Sequence, residues 1–410
     1  MFMKERHFNI LFIVVVIIFI VSVGSSLTLR GGRDLKVGLF GVVQTLHHKS
    51  PYEHIRDPER PLFRYAPGLT LLQRPFLLTS VQTGACDFDG MFPSIMAWHA
   101  FILCTLAASG KLLLKLIPAA TPSMALRNLK ISFLLASPFI GYELCNSQNK
   151  LLALFFVLMS VWLFEEKRHL FSAIFLNLAM TVYIPLAPFS VYFILRSKGR
   201  YFFPFLLGVL IVFGLVPSLF WGFDFNWYLL QDWYNKCLDP FLGTVVLKDF
   251  RASSQSLPSA IIRMLIVGDS YNFCCMIPPQ ALAQIIRYTS FLMILFSCLA
   301  VLRPPAERTR GLSYSIFFIL ALMIPTYCVY YTWAWLFVFY LAVLNYISFP
   351  DTPASYKRLL LNLGAVQFLG SFLMWAYFFK FYSFLGWSTL FLWAGMVGVL
   401  ISEAIKNQKS

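Results

Sequence analysis

Charge is scarce in this 410-residue chain: Asp, Glu, Lys and Arg make up 12% of it, against 59% hydrophobic residues that include 43 Phe. No soluble domain and no low-complexity tract is visible, and no segmental repeat. The eight cysteines follow no spacing that argues for a particular bridge, so none is assigned. No His or Cys cluster has zinc spacing, since His47-His48 is a lone pair, and no metal or cofactor is called for. What is present is hydrocarbon-compatible sequence. A membrane core of ~30 Å takes roughly 20 helical residues, and apolar runs of that order recur throughout. The chain reads as an all-α polytopic membrane protein, residues 1–410 forming a single integral membrane domain. A net charge of +15 would point a soluble protein toward nucleic acid. Here the basic residues sort by side, which removes that partner.

Lys4 and Arg6 precede the uncharged run 8–29, read as a retained anchor with a cytoplasmic N-terminus rather than a signal peptide. Residues 28–92 then form a first outer loop. The basic, acid-free connection holding Lys111, Lys115, Arg127 and Lys130 is cytoplasmic by the positive-inside rule. Spans at 131–144 and 151–164 are short, and a second short pair, 170–182 and 187–195, is joined by Tyr183-Ile184-Pro185-Leu186. Broken helices are tolerated where freed backbone is buried in protein or lines a wet cavity, so a cavity on the outer half is expected here. A span at 201–220 leads to a second outer loop, 222–276. Spans near 281–302, 312–328, 333–348, 359–379 and 383–402 follow, with Arg303, Arg308, Arg310, Lys357 and Arg358 in their inner connections. The expected total is about 12 transmembrane segments, both termini in the cytoplasm.

The richest stretch is 33–76. Leu35, Leu39, Val42, Val43 and Leu46 recur at three- and four-residue steps, predicting an amphipathic helix over 34–47 lying along the membrane surface. Asp34 opens it, either as its N-cap or as a catalytic carboxylate. Ser50-Pro51-Tyr52 and Phe63-Arg64-Tyr65-Ala66-Pro67 are proline-punctuated aromatic turns. A polar cluster, Cys145-Asn146-Ser147-Gln148-Asn149-Lys150, divides the first short pair, with Glu143 just before it. Arg287 stands about seven residues inside an apolar span, where a charge is costly unless paired or facing a wet cavity. Snorkelling to the interface is the alternative. Trp227, Tyr228, Trp333 and Trp335 are candidates to stack on a ligand. Asp87-Phe88-Asp89 has acid spacing suited to a divalent metal, but only beside a cytoplasmic nucleotide-binding domain, which this chain lacks.

Asp34-Leu35-Lys36-Val37, Ser50-Pro51-Tyr52, Phe63-Arg64-Tyr65-Ala66-Pro67, Ser147-Gln148-Asn149, and Gln255-Ser256-Leu257 with Arg263 occur in an order that resembles glycosyltransferase family 87. That resemblance implies a GT-C-type fold with some short or broken spans and two large outer loops. It further implies transfer of one sugar from a polyprenyl-phosphate carrier to a lipid or glycan acceptor on the extracytoplasmic face of a plasma or inner membrane, with inversion and Asp34 as base. Mannose is the sugar of the best-known relatives. Two departures stand out: Gly38 replaces a tyrosine, and Tyr331-Thr332-Trp333-Ala334-Trp335 lacks a histidine.

The chemistry itself asks for a base to take the acceptor's proton and for cations beside the leaving phosphate. Arg287, Arg263 and Arg64 are the phosphate candidates; Tyr65, Asn146, Gln148, Asn149 and Gln255 are candidates for sugar or acceptor hydroxyls. A multi-pass transporter or flippase is the competing reading. The gathering of polar clusters on one side, without matched halves, favours the enzyme.

Overall fold

The structure is a computed structural model, which describes residues 33–52, 63–78, 88–238, 254–268, 273–275, 278–325, 328, 330–374 and 383–406, and parts of 9–24. Most of the expected anchor at 8–29, and Asp87, lie outside the described residues.

Helices carry the chain: α1 Arg33–Leu46, α2 Gly68–Gln73, α3 Phe88–Leu116, α4 Pro122–Cys145, α5 Lys150–Glu165, α6 His169–Val182, α7 Pro188–Arg196, α8 Phe202–Val209, α9 Val216–Trp221, α10 Phe223–Trp233, α11 Leu257–Met264, α12 Pro279–Val301, α13 Arg310–Met323, α14 Leu336–Ser348, α15 Ala354–Leu373 and α16 Phe384–Lys406. One short antiparallel pair, β1 Ile266–Gly268 and β2 Phe273–Cys275, sets Val267 opposite Cys274.

About 12 crossings was the expectation; the described residues contain 4 helices long and apolar enough to span a membrane, or up to 5 if the bent pair α4 and α5 is one span. The 4 are Phe92–Leu116, Phe202–Trp221, Gln280–Val301 and Phe384–Lys406. The reason for the correction is length. Helix α13 has 14 residues and α14 has 13, so at ~1.5 Å per residue each reaches only about 20 Å of a ~30 Å core. Their apolarity has another cause. In α13 every residue from Gly311 to Met323 is buried, the pattern of a helix enclosed by protein on all sides. Helix α4, by contrast, runs 24 residues, longer than the short 131–144 span expected, and turns into α5 through 118°.

The chain divides into two compact units. The first comprises Met1–Leu112, Leu129–Ile184 and Phe205–Leu238. Within it Ser160 and Ser172 donate hydroxyls to each other's carbonyls at 2.7 and 2.8 Å, a reciprocal bond that joins α5 to α6. Asn226 on α10 donates to the carbonyls of Phe213 (3.0 Å) and Gly214 (3.2 Å). Those carbonyls belong to the π-helical stretch Leu210–Leu215 that joins α8 to α9, where the ladder is displaced.

The second unit comprises Leu113–Asn128, Pro185–Pro204 and Asp239–Ser410. Its core is aromatic: Tyr192 meets Phe317 with ring centroids 5.0 Å apart, and Phe318 meets Trp335 at 5.7 Å. Trp333 and Trp335 are fully buried there, so they serve the core and not a ligand surface. Trp227 and Tyr228 in the first unit are exposed. Arg308 bridges Asp351 and Glu403, and Tyr346 Oη donates to Glu403 at 3.3 Å.

Candidate functional site

The polar residues of the first unit converge on the turn between α4 and α5. Helix α4 ends in a hydrogen-bond pattern of two nested rings: Ser147 N–H donates to Leu144 O (2.9 Å) and Gln148 N–H to Glu143 O (3.1 Å). That closure needs a left-handed residue, which is Ser147 at φ 53°. The chain therefore leaves α4 sharply and places Gln148, Asn149 and Lys150 one after another, with Lys150 opening α5.

Helix α5 is capped from a distance. Its N-cap residue Asn149 makes no side-chain cap bond. Instead the Glu143 carboxylate, wholly buried, accepts the N–H groups of Lys150 (2.5 Å) and Leu151 (3.2 Å) through Oε1. A carboxylate at a helix N-terminus meets both the unsatisfied donors and the positive end of the dipole.

Asp34 reaches this turn from α1. It lies inside the first turn of the helix. Its backbone N–H donates to Asn146 O at 3.3 Å, and its carboxylate accepts from Gln148 Nε2. The Gln148 amide also joins Tyr65, whose phenol donates to Gln148 Oε1 at 3.2 Å. Burial, then the nearby Asp34 and Glu143 carboxylates, push the Tyr65 phenol well above its ordinary range. Tyr65 thus stays protonated and is a donor.

Tyr65 is itself held from behind. Tyr52 Oη donates to Tyr65 O at 2.7 Å, and the Tyr52 N–H donates to Ser50 Oγ at 3.2 Å. The Ser50 hydroxyl donates to Asp232 on α10, which pairs with Lys236 at 2.7 Å. From α2, Gln73 donates through Nε2 to Asn149 Oδ1 at 3.2 Å. Its carbonyl lies against Gly38, where an added Cβ would meet Gln73 Oε1 at 2.1 Å. The missing tyrosine at position 38 is therefore matched by a glutamine filling the space.

Of the expected site residues, the fold brings Asp34, Tyr65, Asn146, Gln148 and Asn149 together. Asn146 contributes its backbone carbonyl, while its amide donates back to Tyr142 O at 2.7 Å. Arg64 is exposed in the same unit. Gln255 and Arg263 belong to the second unit, in a buried serine-rich turn. There Arg263 donates to Ser254 O at 2.7 Å, Gln255 N–H to Cys328 O at 2.9 Å, and Ser259 Oγ to Ser254 Oγ at 2.8 Å. Helix α16 approaches so closely that a Cβ on Gly386 would stand 2.6 Å from Gln255 O. Arg287 is on the exposed face of α12. Sequence reasoning placed Lys150 in the polar cluster but missed Gln73, which donates to Asn149, Tyr183, whose ring faces the Lys150 ammonium, and the capping role of Glu143. The one readable signal was a lysine opening an apolar helix, against the helix dipole.

The model of glycosyltransferase family 87 matches residues 63–326, more than half of the chain. The chain belongs to glycosyltransferase family 87. It is accordingly a GT-C-type glycosyltransferase and an integral membrane protein. The matched segment includes Tyr65, Gln73, Gln148 and Arg263, and begins after Asp34. No curated protein matches this family 87 member.

Proposed function

We propose that this glycosyltransferase moves a single hexose, mannose being the first to test, from a polyprenyl-phosphate donor to a hydroxyl of a lipid or glycan acceptor. The transfer takes place on the extracytoplasmic face and inverts the anomeric centre. Asp34 acts as the general base. The observation that carries this reading is the setting of its carboxylate: anchored by Gln148, beside a protonated Tyr65 phenol that donates to the same amide, and on a turn that also offers Asn149. Arg263, buried and donating to Ser254 O, is proposed as a contact for donor phosphate. Arg64 and Arg287 remain proposed as outer contacts. Tyr65, Asn146, Gln148, Asn149 and Gln255 are proposed for sugar or acceptor hydroxyls.

The test is Asp34→Asn in purified full-length protein given a panel of polyprenyl-phosphate sugars and a membrane lipid extract. Asparagine can still accept the Gln148 bond through its carbonyl oxygen, so the fold is kept and only the basicity is lost. Transfer should fall by about 10²- to 10⁴-fold, the usual worth of a positioned base. Undiminished transfer in that variant would dismiss Asp34 from the mechanism. A transporter reading has no support beside membership of a transferase family.

A further inference from the structure

His99 is buried on α3, and both of its ring nitrogens meet backbone carbonyls. Nδ1 lies 2.7 Å from Ile95 O on its own helix, and Nε2 lies 3.0 Å from Leu144 O near the end of α4. A carbonyl oxygen accepts and never donates, so a ring nitrogen bonds to it only when it carries a proton. A neutral imidazole has one such proton for its two nitrogens; an imidazolium has two. The ring has one further partner, the Ser147 hydroxyl, 3.4 Å from Nε2. A hydroxyl can donate to a bare nitrogen.

These contacts describe two ways of holding one ring. In both, Nδ1–H donates to Ile95 O. In the neutral ring Nε2 accepts from the Ser147 hydroxyl; once protonated, Nε2 donates to Leu144 O instead. Ser147 and Leu144 are also the residues that close the end of α4, through Ser147 N–H donating to Leu144 O at 2.9 Å. The next residue is Gln148, whose amide holds the Asp34 carboxylate. We infer that His99 is a positioning residue for the site, a proton-operated latch that exchanges Ser147 for Leu144 as its partner and thereby sets how the Gln148 turn is held. The charged and titratable groups on the surrounding elements are Glu143 and Cys145 on α4, Lys150 on α5, Asp34 on α1, and Arg74, two residues before the Phe76 that packs on Trp98. Among the described residues the ring bonds none of them, its partners being the two carbonyls and the hydroxyl. The site is seen with the shorter contact, to Leu144 O, so the protonated ring is the form that accompanies it. That the latch bears on transfer rests on the proposed role of Asp34; the exchange of partners does not.

Nuclear magnetic resonance of full-length protein in detergent, with its histidines labelled by nitrogen-15, reads the ring directly. The His99 signals are identified by their loss in His99→Gln and, independently, by their survival when the other histidines are replaced by glutamine. On acidification from about pH 8 to about pH 5, the range in which histidine ordinarily changes charge, Nδ1 should stay protonated while Nε2 passes from bare to protonated. A bare Nδ1 at either end, or an Nε2 that does not change, would overturn the latch. Transfer assays then separate positioning from mere support. In wild type, transfer should rise about two- to tenfold as Nε2 takes up its proton, the effect of one hydrogen bond and opposite in sign to the loss of a general base in acid. His99→Gln should lack that rise. An equal loss of rate at every pH in His99→Gln, with the rise retained, would reduce the ring to a structural prop and overturn the positioning role. If the ring titrates as expected while no polyprenyl-phosphate sugar supports transfer, the latch stands and the proposed function fails.

Discussion

A side chain at position 38 would have to share its space with Gln73, which is wholly buried and donates to Asn149. Glycine is required there by a neighbour and not by its backbone angles. Gly38→Ala should therefore destabilise the protein by about 1–3 kcal/mol, the usual cost of overpacking, and lower transfer by releasing Asn149. Adding Gln73→Ala should recover part of the stability, with a coupling of about 0.5–3 kcal/mol in a double-mutant cycle measured by thermal unfolding. Additive losses would mean that the two residues do not meet. Nothing in the sequence pairs Gly38 with Gln73, since they lie on different helices and neither has a periodic partner.

At the scale of elements, the site depends on how α4 stops. The same nested closure ends α1 at His48, α5 at Lys167 and α7 at Lys198, each with positive φ and none a glycine. Glycine is the signal by which such ends are read from sequence. Its absence is why the polar cluster at 145–150 was legible as a break but not as a turn aiming Gln148 and Lys150. Ser147→Val should cost about 1–3 kcal/mol, because a β-branched residue fits the left-handed region poorly. Transfer should fall with it, whereas Ser147→Gly should fold as well as wild type. Circular dichroism melts beside a transfer assay separate the two; a valine variant as stable as wild type would remove the turn's strain from the account. Helix α1, expected over 34–47 and found over Arg33–Leu46, was readable because Leu35, Leu39, Val42 and Val43 are all buried on one face. Leu46, predicted on that face, is instead 42% exposed at the helix end.

For the whole molecule, two buried phenols set a limit at high pH. Burial raises both Tyr52 and Tyr65, with Cys237 and Asp232 adding to the first and Asp34 and Glu143 to the second. A proton held more tightly when folded adds stability that is complete below the unfolded pKa of about 10 and is lost as pH climbs above it. The unfolding midpoint in detergent should thus fall above about pH 10, and Tyr52→Phe should weaken that fall. An unchanged pH profile in Tyr52→Phe would show that its phenol does not contribute.

Composition alone determined that this chain is helical and membrane-embedded, because so little charge leaves most of its surface with nothing to offer water. Ordered motifs gave the family and named Asp34, Tyr65, Gln148 and Asn149. Where the apolar helices begin and end, and which are walled in by protein as α13 is, was decided only in the folded chain, since hydrophobicity is the same toward lipid and toward a protein core. The folded chain likewise decided that Glu143 caps α5, through the turn at Ser147, and that Lys150 stands between Tyr65 and Tyr183, which lie remote from it along the chain.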